Sequence, residues 1–204
     1  MSSTNVFIIG ISAVSGGGKT AVTRRLTEDL SDAVALHFDD YDDTNVHPDS
    51  YAVWFDSGAD YDAFETPVFT SHLKALKASR SVLYPVGDVI LSPARYVVAD
   101  APLGRAHTDS GRHIDFMVFV DTPLDIAMAR RTLRDIEHET YRSAEETVEY
   151  VKDEMAGYLR QARPIYEFGQ SEMRSSSDLV VDGTLSIDDI VEIVRAEIEA
   201  LLSG

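Results

Sequence analysis

Cysteine is absent from this chain, and positively charged residues are scarce. The lack of cysteine excludes a disulfide framework, a thiolate metal site and a cysteine nucleophile. Lys and Arg together number 18 against 35 Asp and Glu, which gives a formal net charge of -17. This excess of negative charge would repel a phosphate backbone, so we expect no nucleic-acid partner. An anionic ligand would instead need a concentrated local site of positive charge.

Long hydrophobic runs are also missing. The amino-terminal stretch MSSTNVFIIGISAVSGGG has no basic segment, and its apolar part is too short for a signal peptide or a membrane span. The chain is 44% hydrophobic and 26% charged over 204 residues, as is typical of a globular domain with a sizeable core. We therefore expect a single domain over residues 1–204, a cytoplasmic location and no membrane partner.

The sequence does contain short apolar runs that alternate with helical patterns. Five continuous runs of strand length lie at residues 5–11, 33–38, 96–99, 116–120 and 179–181. Continuous hydrophobicity suits strands that are buried on both faces of a sheet. Together with the helical patterns between them, the runs predict an α/β fold with a five-stranded parallel sheet flanked by helices. Residues 82–92, VLYPVGDVILS, interrupt the alternation and predict a small hairpin around Gly87 and Asp88.

The strongest motif is AVSGGGKT at residues 13–20, between the first predicted strand and the first predicted helix. Its glycines let the backbone wrap around phosphates, Lys19 can neutralise them, and the Thr20 hydroxyl can bind Mg²⁺. Ala13 replaces the usual first glycine of this motif. The motif predicts a P-loop NTPase fold with ATP and Mg²⁺ as cofactors. The predicted nucleotide-binding residues are Ser15, Gly16, Gly17, Gly18, Lys19, Thr20 and Ala21.

Aspartates follow four of the five apolar runs, at positions 39, 100, 121 and 182. Ligands of open α/β sheets bind beyond the carboxyl ends of the strands. There, one carboxylate can help to hold Mg²⁺ and another can accept a proton from an attacking hydroxyl. We assign Asp39 and Asp100 to these functions, and interpret Asp121 and Asp182 as cap or turn residues.

Three arginines cluster on the helix predicted after the fourth run. Arg130 and Arg134 lie one turn apart on the same face, with Arg131 nearby. In so acidic a chain, the cluster indicates a phosphate clamp or lid. The alternative is a solvated face whose arginines pair with the acidic residues Asp135, Glu137 and Glu139.

These motifs together resemble the uridine kinase-like family of P-loop small-molecule kinases, which includes phosphoribulokinase, pantothenate kinase and nicotinamide riboside kinase. The resemblance follows the family's order over nearly the whole chain. The matching stretches are GISAVSGGGKT, FDDYDD, YDAFE, YPVGD, VVAD, FVDTPLDIAMARRTLRD, ARPIYE and SDLVVDG.

The resemblance implies a function for individual residues. Asp39 matches the catalytic aspartate that orients or deprotonates the acceptor hydroxyl. Asp100 matches the acidic residue that holds Mg²⁺ with Thr20, so the implied metal-binding residues are Thr20, Asp39 and Asp100. Arg131 and Arg134 match lid arginines that contact the acceptor and the transferring phosphate. The catalytic residues are then Asp39, Lys19 and Arg134, and the lid and acceptor-binding elements cover about 51–93 and 130–165.

The resemblance is weakest at the acceptor site. The stretch GADYDAFE stands where the family has Asp-His-Pro before Asp-Ala-Phe-Asp. The hairpin lacks the Tyr-Asp-Phe with which the family binds a pyrimidine. The family's Glu-Arg-Gly-Arg is absent, and Arg142 is the candidate to replace it. Other residues become candidates for acceptor binding: Asp60, Tyr84, Asp88, Arg105, His107, Arg131, Trp54 and Tyr61.

The predicted function is ATP-dependent transfer of the γ-phosphate to a hydroxyl of a small molecule, with a nucleoside as the leading acceptor. A sugar or vitamin-like alcohol is the alternative within the same class. A non-catalytic ATP-binding switch is the alternative from another class. A GTPase is disfavoured because the sequence has no Asn-Lys-x-Asp motif. Members of the family often form homo-oligomers, which we also expect here.

Overall fold

A parallel sheet forms the centre of the protein. The computed structural model of the chain describes residues 5–138 and 143–203. The strands in these ranges are β1 Phe7–Ser12, β2 Ala33–Leu36, β3 Val82–Leu83, β4 Ile90–Leu91, β5 Tyr96–Asp100, β6 Phe116–Asp121 and β7 Leu179–Asp182. Five of them form a parallel sheet in the order β2-β5-β1-β6-β7, and β3 pairs with β4 as an antiparallel hairpin. The predicted sheet and hairpin are both confirmed.

Helices follow the strands as the alternating pattern predicts. The α-helices in the described ranges are α1 Lys19–Asp29, α2 Tyr51–Asp56, α3 Pro67–Lys77, α4 Thr108–Gly111, α5 Leu124–His138, α6 Ala144–Gly157, α7 Arg163–Ser176 and α8 Ile187–Ser203. Two 3-10 helices span Phe38–Thr44 and Tyr61–Ala63, and a π-helical turn spans Tyr158–Ala162. No helix within the described part of the chain is both long and apolar enough to cross a membrane.

Both faces of the sheet are covered, which explains the continuous apolar runs. Along β1, Ile9 and Ile11 pack on one face in a cluster that includes Leu26 of α1 and Val194 of α8. Ile8 points to the opposite face, into a cluster that includes residues of α3 and the hairpin. Successive strand residues alternate between faces, so a strand covered on both sides needs apolar residues at every position.

The central position of β1 determines where the functional residues meet. β5 and β6 lie on either side of β1, and β2 lies beyond β5. All four run parallel, so the segments that follow them emerge at one edge of the sheet. The glycine-rich loop follows β1, the 3-10 helix Phe38–Thr44 follows β2, and Asp100 ends β5.

The segment predicted to form a lid consists of α5, α6, the π-helical turn and the start of α7. Gly157 and Pro164 flank that turn. Proline has no N–H and its ring collides with the carbonyl four residues earlier, so the regular hydrogen-bond pattern cannot pass through it. Arg142 lies outside the described residues. The function of the lid and the single-domain boundary 1–204 stay predictions.

Candidate active site

The loop between β1 and α1 has a backbone shape that glycine alone adopts easily. Gly16 and Gly18 have positive φ angles of 80° and 101°. A β-carbon on Gly16 would lie 2.1 Å from the carbonyl oxygen of Ala127, and one on Gly17 would lie 2.8 Å from that of Val14. Among residues 5–138 and 143–203, no side chain caps the amino end of α1. Its first N–H groups are therefore available to an anion, as a phosphate-binding loop requires.

Gly16→Ala should destabilise the protein more than Gly18→Ala. Both positions need a left-handed backbone, which costs a residue with a β-carbon about 1–2 kcal/mol. Only Gly16 adds a collision with Ala127, because a β-carbon on Gly18 meets open space. Urea denaturation of the two variants measures the difference. Equal losses in the free energy of unfolding would contradict the steric argument.

A buried threonine connects this loop to the rest of the fold. Thr122, directly after β6, is fully buried and donates from its Oγ1 to the carbonyl oxygen of Gly17 at 2.8 Å. Gln170 of α7 donates from Nε2 to the carbonyl oxygen of Thr122, also at 2.8 Å. Neither residue is among those predicted from the sequence. The only signal for Thr122 was its position after a strand-terminal aspartate.

Asp100 lies beside the glycine-rich loop with almost no exposure to solvent. Thr20 donates from Oγ1 to Asp100 Oδ2 at 2.9 Å, and Lys19 Nζ lies 3.9 Å from Oδ1. Within the described residues, Oδ1 accepts no hydrogen bond. Burial raises the pKa of Asp100 to about 6; Lys19 and Thr20 lower it, and Asp39 and Asp40 add to the rise. A buried carboxylate with an unused oxygen beside a hydroxyl suits Mg²⁺, which prefers oxygen ligands.

Asp39 lies on the 3-10 helix after β2 rather than directly at a strand end. β2 ends at Leu36, two residues earlier than its apolar run. Phe38 and Tyr41 are buried and hold the helix against α3, where both rings contact Phe69 edge-on. Asp39 between them is exposed and faces the same cavity as Lys19.

A cavity of about 500 Å³ extends from the glycine-rich loop past Asp39. Residues of the loop and of the 3-10 helix line it together with residues of α2, α7 and the segments around residues 61–64 and 102–103. The side chains that line it are largely aromatic and aliphatic. They belong to Ala13, Val14, Ser15, Lys19, Phe38, Asp39, Asp42, His47, Tyr51, Trp54, Tyr61, Phe64, Pro102, Leu103, Ile165, Tyr166, Gly169 and Met173. Two of the acceptor candidates from the sequence, Trp54 and Tyr61, are therefore at the cavity.

The other six acceptor candidates do not line this cavity; they are Asp60, Tyr84, Asp88, Arg105, His107 and Arg131. Asp88 is exposed in the turn of the hairpin. Asp60 accepts a hydrogen bond from the N–H of Asp62 and caps a 3-10 helix, and His107 is buried with its Nδ1 2.7 Å from Ser110 Oγ. Arg105 forms two hydrogen bonds to Asp178, at 2.8 and 2.6 Å. The Tyr84 hydroxyl contacts the 3-10 helix of Asp39. These contacts are structural, and a direct contact of any of the six with an acceptor stays a prediction.

The arginine cluster of α5 is divided among several partners. Arg131 donates to the Tyr166 hydroxyl and to Glu154 of α6. It also packs against the loop, since a β-carbon on Gly16 would lie 3.1 Å from Arg131 Cβ. Arg134 is exposed and pairs with Asp135 at 3.0 Å. Pairing with acidic neighbours, the alternative raised by the sequence, thus occurs at both arginines. Their contact with phosphate stays a prediction.

The two remaining strand-terminal aspartates have structural partners. Asp121 pairs with Arg174 of α7. Asp182 accepts hydrogen bonds from the backbone N–H of Thr184 at 2.8 Å and from its hydroxyl at 2.7 Å. The arrangement of Asp182 agrees with its interpretation as a turn residue. Asp121 instead forms an ion pair with a residue 53 positions later, which is not a cap or turn contact.

Known proteins resemble this chain in sequence and in fold. No family model matches it. It is 33% identical over 193 residues to the uridine kinase of Leuconostoc citreum strain KM20, covering 86% of this chain and 87% of that protein. It is 31% identical over 175 residues to the uridine kinase of Borrelia duttonii strain Ly, covering 80% and 84%. A crystal structure of a proposed fructose transport system kinase from Silicibacter sp. TM1040 shares the fold at a TM-score of 0.52 and 15% identity, over 87% of this chain and 90% of that one. The extent of the sequence similarity shows that the chain belongs to the uridine kinase family.

Proposed function

We propose that this protein transfers the γ-phosphate of ATP to a hydroxyl group of a nucleoside. One observation carries the proposal: Lys19, at the end of the glycine-rich loop, and Asp39, on the 3-10 helix, line the same cavity. A phosphate held by the loop and a hydroxyl beside Asp39 would therefore share one cavity. The buried Asp100 and Thr20 lie next to Lys19 and supply oxygen ligands for the divalent cation that such a transfer uses.

The chemistry assigned to the residues is in-line phosphoryl transfer. Asp39 accepts the proton of the acceptor hydroxyl while that oxygen bonds to the γ-phosphorus. The bond from the γ-phosphorus to the oxygen that bridges to the β-phosphorus breaks, and ADP leaves with that oxygen. Lys19 and the backbone N–H groups of the loop stabilise the charge on the moving group. Thr20, Asp100 and Asp39 would hold Mg²⁺, whose charge would neutralise the phosphates.

The cavity suits a nucleoside in size and in the character of its walls. Its volume of about 500 Å³ lies within the range of about 300–1,000 Å³ typical of small-molecule sites. Trp54, Tyr61 and Phe64 line the cavity and pack on one another. Aromatic walls suit the flat face of a base, while the ribose would extend towards Asp39. Arg131 and Arg134 would contact the transferring phosphate once they leave their acidic partners.

A screen of acceptors tests the proposed function. Formation of ADP from ATP would be followed with Mg²⁺ and, in turn, nucleosides, other ribosyl compounds, pantothenate and simple sugars. We expect a nucleoside to stimulate turnover and to appear as its monophosphate by mass spectrometry. Lys19→Ala should abolish that signal, which excludes a contaminating kinase. Stimulation by a sugar or vitamin-like alcohol alone would overturn the nucleoside assignment, and tight ATP binding without any stimulation would favour a non-catalytic switch.

Two further expectations accompany the proposal. A homo-oligomer stays a prediction that the mass of the purified protein in solution would test. A cytoplasmic location also stays a prediction.

A further inference from the structure

Tyr84 on the hairpin contacts the chain on both sides of Asp39. Its hydroxyl oxygen accepts a hydrogen bond from the backbone N–H of His37 at 3.1 Å. The same hydroxyl donates to Asp40 Oδ2 at 2.5 Å. His37 and Asp40, which flank Phe38 and Asp39, are therefore hydrogen-bonded to the same oxygen atom.

The chemical state of this tyrosine suits both contacts. Tyr84 is half-buried, and burial together with the hydrogen bond to Asp40 holds the pKa of its hydroxyl well above the usual range. The group therefore keeps its proton at neutral pH, so it can donate to a carboxylate and still accept from an N–H. Its ring packs edge-on against Tyr41 with ring centroids 5.9 Å apart, which fixes the direction of the hydroxyl.

The hairpin that carries Tyr84 packs against the hydrophobic core. Val82 is buried in the core cluster on the α3 side of the sheet, and Leu91 opposite it packs against the same cluster. The backbone N–H of Tyr84 donates to the carbonyl oxygen of Val89 at 2.7 Å and closes the turn. The hydroxyl is therefore held by the core rather than by the exposed turn.

The segment that carries Asp39 is only weakly stabilised by its own hydrogen bonds. It is a short 3-10 helix, whose hydrogen bonds are weaker than those of an α-helix. Within the described part of the chain, no side chain caps its amino end, where His37 is the N-cap residue. Asp40 adjoins Asp39, and both charges act on Asp100. The hydrogen bond from Tyr84 directs the Asp40 carboxylate to the hairpin, whereas Asp39 lines the cavity.

We propose that Tyr84 is a positioning residue for phosphoryl transfer, which sets the first turn of the 3-10 helix so that Asp39, and not Asp40, faces the acceptor hydroxyl. The inference rests on the proposed function, in which Asp39 is the base. It also changes the interpretation of Tyr84 from the sequence, where the residue was a candidate for direct contact with the acceptor.

A pair of tyrosine variants separates positioning from general structural support. Tyr84→Phe keeps the ring and removes only the hydroxyl, and we expect kcat to fall about tenfold, the change that corresponds to about 1.4 kcal/mol in the barrier. The KM for ATP should stay within about twofold of the wild-type value, because the hydroxyl does not contribute to binding of ATP. Tyr41→Phe is the matched control, since its hydroxyl contacts His72 Nδ1 at 3.0 Å in the same aromatic cluster. Tyr41→Phe should lower the melting temperature about as much as Tyr84→Phe does, but it should leave kcat within about twofold of the wild type.

A double-mutant cycle with Asp39→Asn tests whether Tyr84 acts through Asp39. Single-turnover rates with excess enzyme keep slow variants measurable. If Tyr84 acts by placing Asp39, Tyr84→Phe should have little further effect in the Asp39→Asn background. An equal loss in both backgrounds, or unchanged kcat in Tyr84→Phe alone, would overturn the inference. Near-normal turnover of Asp39→Asn alone would instead refute the assignment of Asp39 as the base. Wild-type protein that no nucleoside stimulates would refute the proposed function, so the failures are distinguishable.

Discussion

Asp39→Asn is expected to lower kcat by about 10²–10⁴-fold, the range that a positioned general base typically contributes. The amide keeps the size of the side chain and can no longer accept the proton of the acceptor hydroxyl. Binding of ATP should stay within about threefold, because in the proposed function the loop and α1 hold the phosphates without this carboxylate. Turnover assays and calorimetric titration with ATP in the presence and absence of Mg²⁺ measure the two quantities separately. A weakening confined to titrations with Mg²⁺ would indicate that Asp39 also holds the metal.

Asp43→Asn provides the matched control for this prediction. Asp43 lies on the same 3-10 helix and is exposed, but it does not line the cavity. The same chemical change should therefore leave kcat nearly unchanged. Near-normal turnover of Asp39→Asn, or an equal loss in both variants, would show that the catalytic carboxylate has been assigned to the wrong residue.

Asp100→Asn is expected to make the ligand-free protein more stable while it damages catalysis. The pKa of Asp100 rises from 3.8 to about 6 because the carboxylate is buried. At about 1.4 kcal/mol per pKa unit, burial of the charged form then costs up to about 3 kcal/mol at neutral pH. The amide has no charge to bury and can still accept the hydrogen bond from Thr20. It lacks the charge that attracts Mg²⁺, so half-maximal turnover should need at least about tenfold more of the metal.

The dependence of this gain on pH follows from the direction of the shift. In the wild type, the folded state binds more protons than the unfolded chain between the unfolded pKa of 3.8 and the folded value of about 6. Wild-type stability from this group therefore rises as the pH falls through that window. The advantage of Asp100→Asn should be fully present above about pH 6 and should disappear by about pH 4, where the wild-type carboxyl is neutral in both states.

Urea denaturation of both proteins at several pH values measures this difference. Asp182→Asn is the control, because Asp182 also terminates a parallel strand but is exposed. Hydrogen bonds from Thr184 lower the pKa of Asp182, so its replacement should not raise stability at neutral pH. A loss of stability in Asp100→Asn at pH 7, or a gain that persists unchanged at pH 4, would refute the argument from burial.

The parts of the site that lie close together in sequence were predictable, because local patterns determine them. The strand, the glycine turn and the helix around residues 7–29 appear as one continuous signal, and Asp100 follows a buried apolar run directly. Phe38 looked like part of the second strand because it is apolar. It is buried instead as the first residue of a 3-10 helix, which moves Asp39 away from the strand end.

The acceptor cavity could not be predicted in the same way, since its walls come from segments far apart in the chain. Arg105 follows β5 closely enough to suggest a ligand contact, yet its guanidinium pairs with Asp178, 73 residues away. Tyr84 was noticed for its hydroxyl, but the two groups that this hydroxyl contacts lie more than 40 residues earlier. Sequence periodicity carries no information about such pairings.

The contacts of Thr122 connect two walls of the cavity, the glycine-rich loop and α7. α7 contributes Tyr166 and Gly169 to the cavity wall, and through Gln170 it also holds the backbone of Thr122, whose hydroxyl binds the carbonyl oxygen of Gly17. A shift of α7 must therefore either break the hydrogen bond of Gln170 or carry Thr122, and with it the turn of the loop, in the same direction. An acceptor that moves the wall as it enters would then change the affinity of the loop for ATP. By thermodynamic reciprocity, bound ATP would change the affinity of the cavity for that acceptor by the same factor.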